Sequence, residues 1–233
     1  MKRFFGRKDK NFIIVEGGEL QHLKKVLRMR EGDEVIACAN DEFEYFCTIE
    51  EISPSFARLV INSSQLCPAT PKKHITLIQM LPKKDYLDSI VPKSIELGAS
   101  ELMFFTSQYT IGKQLRTDRI QQQVLTACKQ CERSMLAHVH ELEKFDKMIE
   151  FLAGFDVVVF ANEDEHENKF TPELVENATK IAVVIGNEAG FTDEEREKII
   201  AAGGKSITLG SRILRCDTAV AAVLALVGVF SNN

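Results

Sequence analysis

Residues 181–230 read IAVVIGNEAGFTDEEREKIIAAGGKSITLGSRILRCDTAVAAVLALVGVF, and this stretch decides the fold. The apolar run Ile181–Ile185 reads as a buried strand that breaks at Gly186. Thr192 with Glu195 makes a capping box, which opens a predicted helix over Thr192–Ala202. A second strand, Ser206–Leu209, breaks at Gly210 and leads into a helix over Asp217–Phe230. Strand, glycine turn and helix in alternation predict a mostly parallel sheet covered on both faces.

The same rhythm extends back to His74. Further strands are predicted at Ile75–Gln79, Leu102–Phe105 and Asp156–Phe160, and helices at Lys83–Leu97, Thr117–Arg133 and Phe145–Ala153. Pro92 is expected to kink or split the first of these helices. Before residue 67 the pattern is different: short β-rich runs at Phe12–Val15, Val35–Ala39, Phe43–Ile52 and Phe56–Ile61, with one helix over Gly18–Met29. Cys67-Pro-Ala-Thr-Pro71 carries two prolines in five residues and reads as the linker. The expected organisation is a small β-barrel, residues 1–70, followed by a larger α/β domain, residues 71–233.

A chain of 233 residues with 45% hydrophobic and 27% charged residues is globular in composition, neither disordered nor fibrous. Its net charge of -5 argues against a nucleic-acid partner, but the charge is sorted along the chain: +6 over residues 1–30, -7 over 31–70, +4 over 71–135 and -8 over 136–233. Such sorting suggests one basic face. The basic start, MKRFFGRKDK, is not followed by an apolar signal-peptide core. The run Ala219–Phe230 is too short to span a bilayer. A cytoplasmic protein without a membrane partner is expected. The CxxC of Cys128 and Cys131 lacks a second ligand pair for zinc. With Ile120 and Val124 it falls on the apolar stripe of a helix, so core thiols and no metal are expected.

In open α/β sheets ligands bind beyond the carboxyl ends of strands. IGNEAGFTDEE (185–195) and LGSRILRCDTA (209–219) occupy that place, either as plain turns or as ligand loops. Neither matches a phosphate loop or a dinucleotide fingerprint, which disfavours a nicotinamide dehydrogenase. Glu188, Asp193, Glu194 and Glu195 would repel a nucleotide phosphate; a cationic ligand such as S-adenosylmethionine, with its sulfonium, fits better. Arg212 and Arg215 either pair with Glu188 or Asp217, or recognise phosphates and base edges.

Two segments read as RNA contacts. The helix 117–133 carries a polar stripe of Arg119, Gln123, Thr126, Gln130 and Arg133 without an acid, suited to phosphates, sugars and base edges. In HLKKVLRMREGDEV (22–35), Leu23, Val26 and Leu27 are expected to anchor a helix that exposes Lys24, Lys25 and Arg28 beside Arg3 and the other N-terminal cations. The five histidines form no recognisable catalytic motif.

Taken in order, HLKKVLR…GD, KSIELG (93–98), ACKQCERS (127–134), IGNEAGFTDEE and LGSRILRCDTA resemble the RsmE family of ribosomal RNA methyltransferases, of the trefoil-knotted SPOUT class. The resemblance runs over nearly the whole chain. It implies a PUA-like N-terminal barrel, a knotted α/β domain and a homodimer. It also implies S-adenosylmethionine held by three loops: Phe160, Ala161 and Asn162 in the first; Ile185, Gly186, Asn187 and Gly190 in the second; Leu209, Gly210, Ile213 and Leu214 in the third. The implied reaction is methylation of N3 of a uridine in 16S ribosomal RNA, free or in the assembled small subunit. For that chemistry Arg212 or Arg215 would stabilise charge on the uracil oxygens, Glu188 would act as base or support the loop, and Arg133 would orient RNA.

The chain departs from the family pattern at two places. Thr-Ser-Gln-Tyr-Thr (106–110) stands where the family carries a Ser-Glu-Arg-like signature, leaving any such role to Gln108 and Tyr109. Asn187 and Ala189 replace a proline and a glycine. The resulting GNEAG also resembles the loop of knotted ribose 2′-O-methyltransferases, which are the alternative together with a non-catalytic RNA-binding module.

Overall fold

The computed structural model describes residues 1–110 and 114–231. It divides into two compact units, one of residues 1–70 with 128–136, the other of residues 71–127 with 137–233.

The first unit is a curled six-stranded sheet built from β1 (Lys2–Phe5), β2 (Arg7–Asp9), β3 (Phe12–Glu16), β4 (Glu34–Cys38), β5 (Phe43–Ile52) and β6 (Phe56–Leu66). Their order is β1-β4-β5-β6-β3-β2, antiparallel except for the parallel pair β1–β4. Period-two alternation places Phe4, Ile13, Val15, Val35, Ala37, Tyr45 and Leu59 in one core. β1 and β2 escape the sequence reading because their cations mask the alternation, and β6 runs five residues beyond Ile61 because its polar end goes on pairing with β5 past a bulge opposite Phe46 and Cys47.

The helix expected over Gly18–Met29 is shorter and wider. α1 (Gly17–Gln21) passes into a π-helical turn at His22–Val26, where the Leu27 amide donates to the His22 carbonyl at 3.0 Å. The extra residue per turn keeps Leu23 buried but rotates Val26 outward, to 65% exposure, so Val26 does not anchor the helix as expected.

The second unit holds β7 (His74–Met80), β8 (Glu101–Thr106), β9 (His138–Val139), β10 (Glu143–Lys144), β11 (Val157–Ala161), β12 (Lys180–Ile185) and β13 (Gly204–Ile207). All pairings in this sheet are parallel, in the order β10-β8-β7-β12-β11-β13, with β9 also on β8. The central strands are buried along almost their whole length, which is why they read as continuous apolar runs. The helices are α2 (Lys84–Glu96), α3 (Thr117–Gln130), α4 (Phe145–Leu152), α5 (Asp193–Ala201) and α6 (Cys216–Phe230). Pro92 does not split α2, which runs through it as one element. α3 stops three residues short of Arg133, and Glu132 beyond it has a left-handed φ of 63°. Ser206–Leu209 shifts to Gly204–Ile207, because pairing with β11 takes in Gly204 and Lys205.

Candidate functional site

The strand order decides the site. β12, β11 and β13 are neighbours, so the loops leaving their carboxyl ends lie side by side, and together they line a cleft of about 620 Å³. Ala161, Asn162, Glu163 and Asp164 come from the first loop; Ile185, Gly186, Asn187, Glu188 and Gly190 from the second; Thr208 to Cys216 from the third. The cleft therefore brings together Glu188, Arg212, Arg215 and ten of the eleven residues assigned to the cofactor from the sequence. Phe160 differs: its ring is fully buried and packs edge-on against Phe191, 5.2 Å between centroids.

Each loop is held from behind. The Asn162 backbone N–H donates to Ile207 O at 3.1 Å and its side-chain amide to Ser206 Oγ at 3.2 Å, tying the first loop to β13. Buried Gln79 donates to Gly186 O at 2.8 Å, anchoring the second loop to β7. That loop then folds on itself, Asn187 Oδ1 accepting from the Ala189 amide at 2.9 Å. Gly190 has φ +69°, and a Cβ there would lie 2.1 Å from Glu163 Oε1. The backbone conformation therefore calls for glycine, and any larger residue would also push the exposed Glu163 carboxylate aside. The expected capping box is formed, Thr192 Oγ1 accepting from the Glu195 amide at 3.2 Å and Glu195 Oε2 from the Thr192 amide at 3.0 Å. Gly210, φ +103°, turns the third loop with open space beside its Cα.

Glu188 is exposed, and its Oε1 accepts from the Lys83 amide at 3.0 Å. Arg212 and Arg215 are exposed, and neither forms an ion pair among the described residues. Asp217, the alternative partner, is taken by Lys93 Nζ at 3.1 Å and Ser89 Oγ at 3.0 Å. Burial would raise the Asp217 carboxyl, but the hydrogen bonds from Lys93 and Ser89 outweigh it and hold the group below its ordinary value. Cys216 also lines the cleft, yet burial, with Glu188 and Asp217 adding to it, pushes its thiol up to about 12. It is no thiolate nucleophile at neutral pH.

The carboxylates of Glu163, Asp164 and Glu188 line the cleft together with Arg196, Arg212 and Arg215, and Asp164 pairs with Arg196 at 2.9 Å, while glycines leave the backbone accessible. This donor set fits a cationic ligand bearing hydroxyl and amide-like edges. Glu163 and Asp164 were not picked out from the sequence; their position one and two residues beyond the first loop was the available signal.

The residues assigned to RNA divide by environment. Lys25, Arg28 and Gln130 are exposed. Lys24 is half-buried and donates to Ser53 O at 2.9 Å. Arg3 faces inward and pairs with Glu44 at 2.9 Å, both side chains 7% exposed. Arg119 is engaged by both oxygens of Asp88 at 2.7 Å, and Gln123 also donates to Asp88, so an acid from α2 caps part of the polar stripe. Arg133 lies beyond α3 and is buried; loss of hydration lowers its pKa, with Cys128, Cys131 and Cys67 acting the other way. Cys128 is buried and Cys131 half-buried. Among the described residues no His/Cys/Asp/Glu group could hold a metal, and no helix is long and apolar enough to cross a membrane.

Comparison with known proteins places this geometry. Residues 69–228 match the model of an RNA methyltransferase domain, and residues 15–62 that of an RNA methyltransferase PUA domain. Ribosomal RNA small subunit methyltransferase E of Bacillus subtilis (strain 168) is 29% identical over 218 residues, 88% of this chain and 85% of the relative. The protein of the same name from Buchnera aphidicola subsp. Schizaphis graminum is 30% identical over 222 residues, again 88% of this chain and 85% of the relative. The crystal structure of the Neisseria gonorrhoeae protein of that name, bound to S-adenosyl methionine, shares the fold: TM-score 0.87 at 23% identity, covering 98% of this chain and 97% of that one. With both domains matched in order and the relatives aligned over most of their length, the chain belongs to the ribosomal RNA small subunit methyltransferase E family.

Proposed function

We propose that the chain transfers a methyl group from S-adenosylmethionine to N3 of a uridine in 16S ribosomal RNA. The observation that carries this reading is the three-loop cleft, rimmed by Arg212, Arg215 and Glu188. Bound there, S-adenosylmethionine would supply a methyl on a sulfonium: N3 forms the new C–N bond as the C–S bond breaks, its electrons go to sulfur, and the N3 proton leaves.

The residues answer the demands of that exchange. The loops holding Ala161, Asn162, Ile185, Gly186, Asn187, Gly190, Leu209, Gly210, Ile213 and Leu214 fix the donor, since in-line displacement depends chiefly on positioning. Glu163 offers negative charge to a cationic donor and acceptors to its hydroxyls, Asp164 being paired with Arg196. Glu188 takes the N3 proton. Arg215, at the N-cap of α6, and Arg212, in the loop before it, oppose the negative charge that spreads to O2 and O4. The neutral thiol of Cys216 supports direct transfer over a cysteine-linked route.

Lys25 and Arg28 dock the RNA electrostatically, with Gln130 in support. The protein acts in the cytoplasm as a homodimer on 16S ribosomal RNA, free or in the assembled small subunit, and the knotted threading of the class gathers the three loops. Mass spectrometry of small-subunit RNA from cells with and without the gene tests the reading. Loss of 3-methyluridine is expected; loss of a ribose methyl would transfer the assignment to 2′-O-methylation. Calorimetry with S-adenosylmethionine excludes or admits the non-catalytic alternative, which predicts no binding.

A further inference from the structure

A second cavity, of about 170 Å³, shares Asn187 and Glu188 with the large cleft and is otherwise lined by Leu81, Lys83, Tyr109 and Ala189. It is far smaller than the several hundred Å³ of a cofactor site and suits a single flat ring. Its lining is chemically mixed: buried Leu81, aromatic Tyr109, acidic Glu188 and basic Lys83.

Tyr109 is 45% exposed, although its backbone is tied down on both sides. Its carbonyl accepts from Asn187 Nδ2 at 3.4 Å, and the preceding Gln108 amide donates to Glu195 Oε1 at 3.4 Å. A turn closes the segment, the Ser107 amide donating to Thr110 Oγ1 at 2.8 Å. An exposed aromatic ring on an anchored backbone is a stacking platform whose ordering cost is met in the fold.

We propose that this cavity receives the target pyrimidine flipped out of the RNA, stacked on Tyr109, with its N3 edge toward Glu188 and a carbonyl oxygen near Lys83. The inference rests on the uridine-N3 reading above. An enzyme acting on a base edge must take that base out of its stack, and aromatic faces bind unstacked bases. The shared wall at Asn187 and Glu188 sets the ring against the cleft that holds the methyl donor.

The test uses the full-length protein with small ribosomal subunits, and with the RNA extracted from them, from cells lacking the gene. In single-turnover methylation, Tyr109→Ala is expected to lower the efficiency about 10- to 100-fold, the range for loss of one base–aromatic stack. Tyr109→Phe, which keeps the ring, should restore most of that loss, and calorimetric S-adenosylmethionine affinity should be the same in all three proteins. RNA transcribed with 5-iodouridine should photo-crosslink to Tyr109. If the wild-type protein forms 3-methyluridine and Tyr109→Ala does so equally fast, the stacking role is wrong and the functional reading stands. Loss of S-adenosylmethionine affinity in Tyr109→Ala would make the residue structural and overturn the proposal. A wild-type protein that forms no 3-methyluridine removes the functional reading and this pocket assignment with it.

Discussion

Glu188 Oε1 accepts the backbone N–H of Lys83 at 3.0 Å, a bond that joins the glycine loop after β12 to the start of α2 and uses one of the two carboxylate oxygens. Glu188 can thus support its loop and take a proton at once, and substitution separates the two. Glu188→Gln keeps an oxygen for the Lys83 amide but is a far weaker base. It should retain S-adenosylmethionine affinity and lose about 10²- to 10⁴-fold in single-turnover methylation, the range for general-base catalysis. An unchanged rate would reduce Glu188 to loop support.

Arg212 and Arg215 both reach the cleft, and Asp217 neutralises neither because Lys93 and Ser89 occupy it. Removing a cation that opposes charge developing in the transition state costs on the order of 10²- to 10³-fold in kcat. Arg215→Ala is expected to show that loss with RNA affinity retained. Should single-turnover methylation be untouched, Arg215 has no catalytic part and Arg212 becomes the candidate.

Gly190→Ala combines a left-handed φ of +69° with a Cβ 2.1 Å from Glu163 Oε1. The backbone conformation alone costs an alanine about 1–2 kcal/mol. The Glu163 carboxylate must also swing away, so S-adenosylmethionine affinity should fall together with thermal stability. Wild-type affinity in Gly190→Ala, read by calorimetry, would argue that Glu163 does not touch the donor.

Among the N-terminal cations, exposure separates docking from structure. Lys25→Ala and Arg28→Ala should each reduce the slope of log K for RNA against log salt by about 0.7 to 0.9 for every phosphate left without its cation, and neither should lower stability. Arg3→Ala instead leaves buried Glu44 without its ion-pair partner, though Gln65 still donates to it, and should destabilise the fold by up to about 3–5 kcal/mol. Denaturant unfolding and filter binding over a salt series distinguish the two classes. Equal behaviour of Arg3 and Arg28 would contradict the assignment.

Glu101 accepts from His140 Nε2 at 2.9 Å, with His74 at 3.1 Å on its other oxygen. The His140 hydrogen bond, stronger here than the opposing effect of burial, holds the carboxyl below its ordinary 4.5. A carboxyl depressed in the folded state stabilises fully above its unfolded pKa and loses that contribution as pH falls through the folded one. Glu101→Gln should therefore be less stable than wild type at pH 7, and the gap should close as pH falls below about 4.5. A gap independent of pH would mean that the loss is one of packing.

The positions of the glycine loops were legible in the sequence for a local reason. An apolar run, a glycine and a capping box are each written within a few residues, and Ile181–Ile185, Gly186 and Thr192/Glu195 needed no distant partner to be read. Lys25 and Arg28 could likewise be read as exposed cations. Arg3 could not, because its environment is made by Glu44, forty-one residues away in the chain. For the same reason the stripe on α3 looked free of acid until Asp88 from α2 met Arg119.

The sequence by itself determined the main strands and helices of the second unit and the glycine turns after β12 and β13, because propensity, hydrophobic period and capping act over a few residues. Only the tertiary structure decided the partners: β11 between β12 and β13 to gather three loops, Glu163 over Gly190, Lys83 on Glu188, and Tyr109 beside the same loop. Those relations depend on sheet order and packing between residues distant in the chain, and no local pattern encodes them.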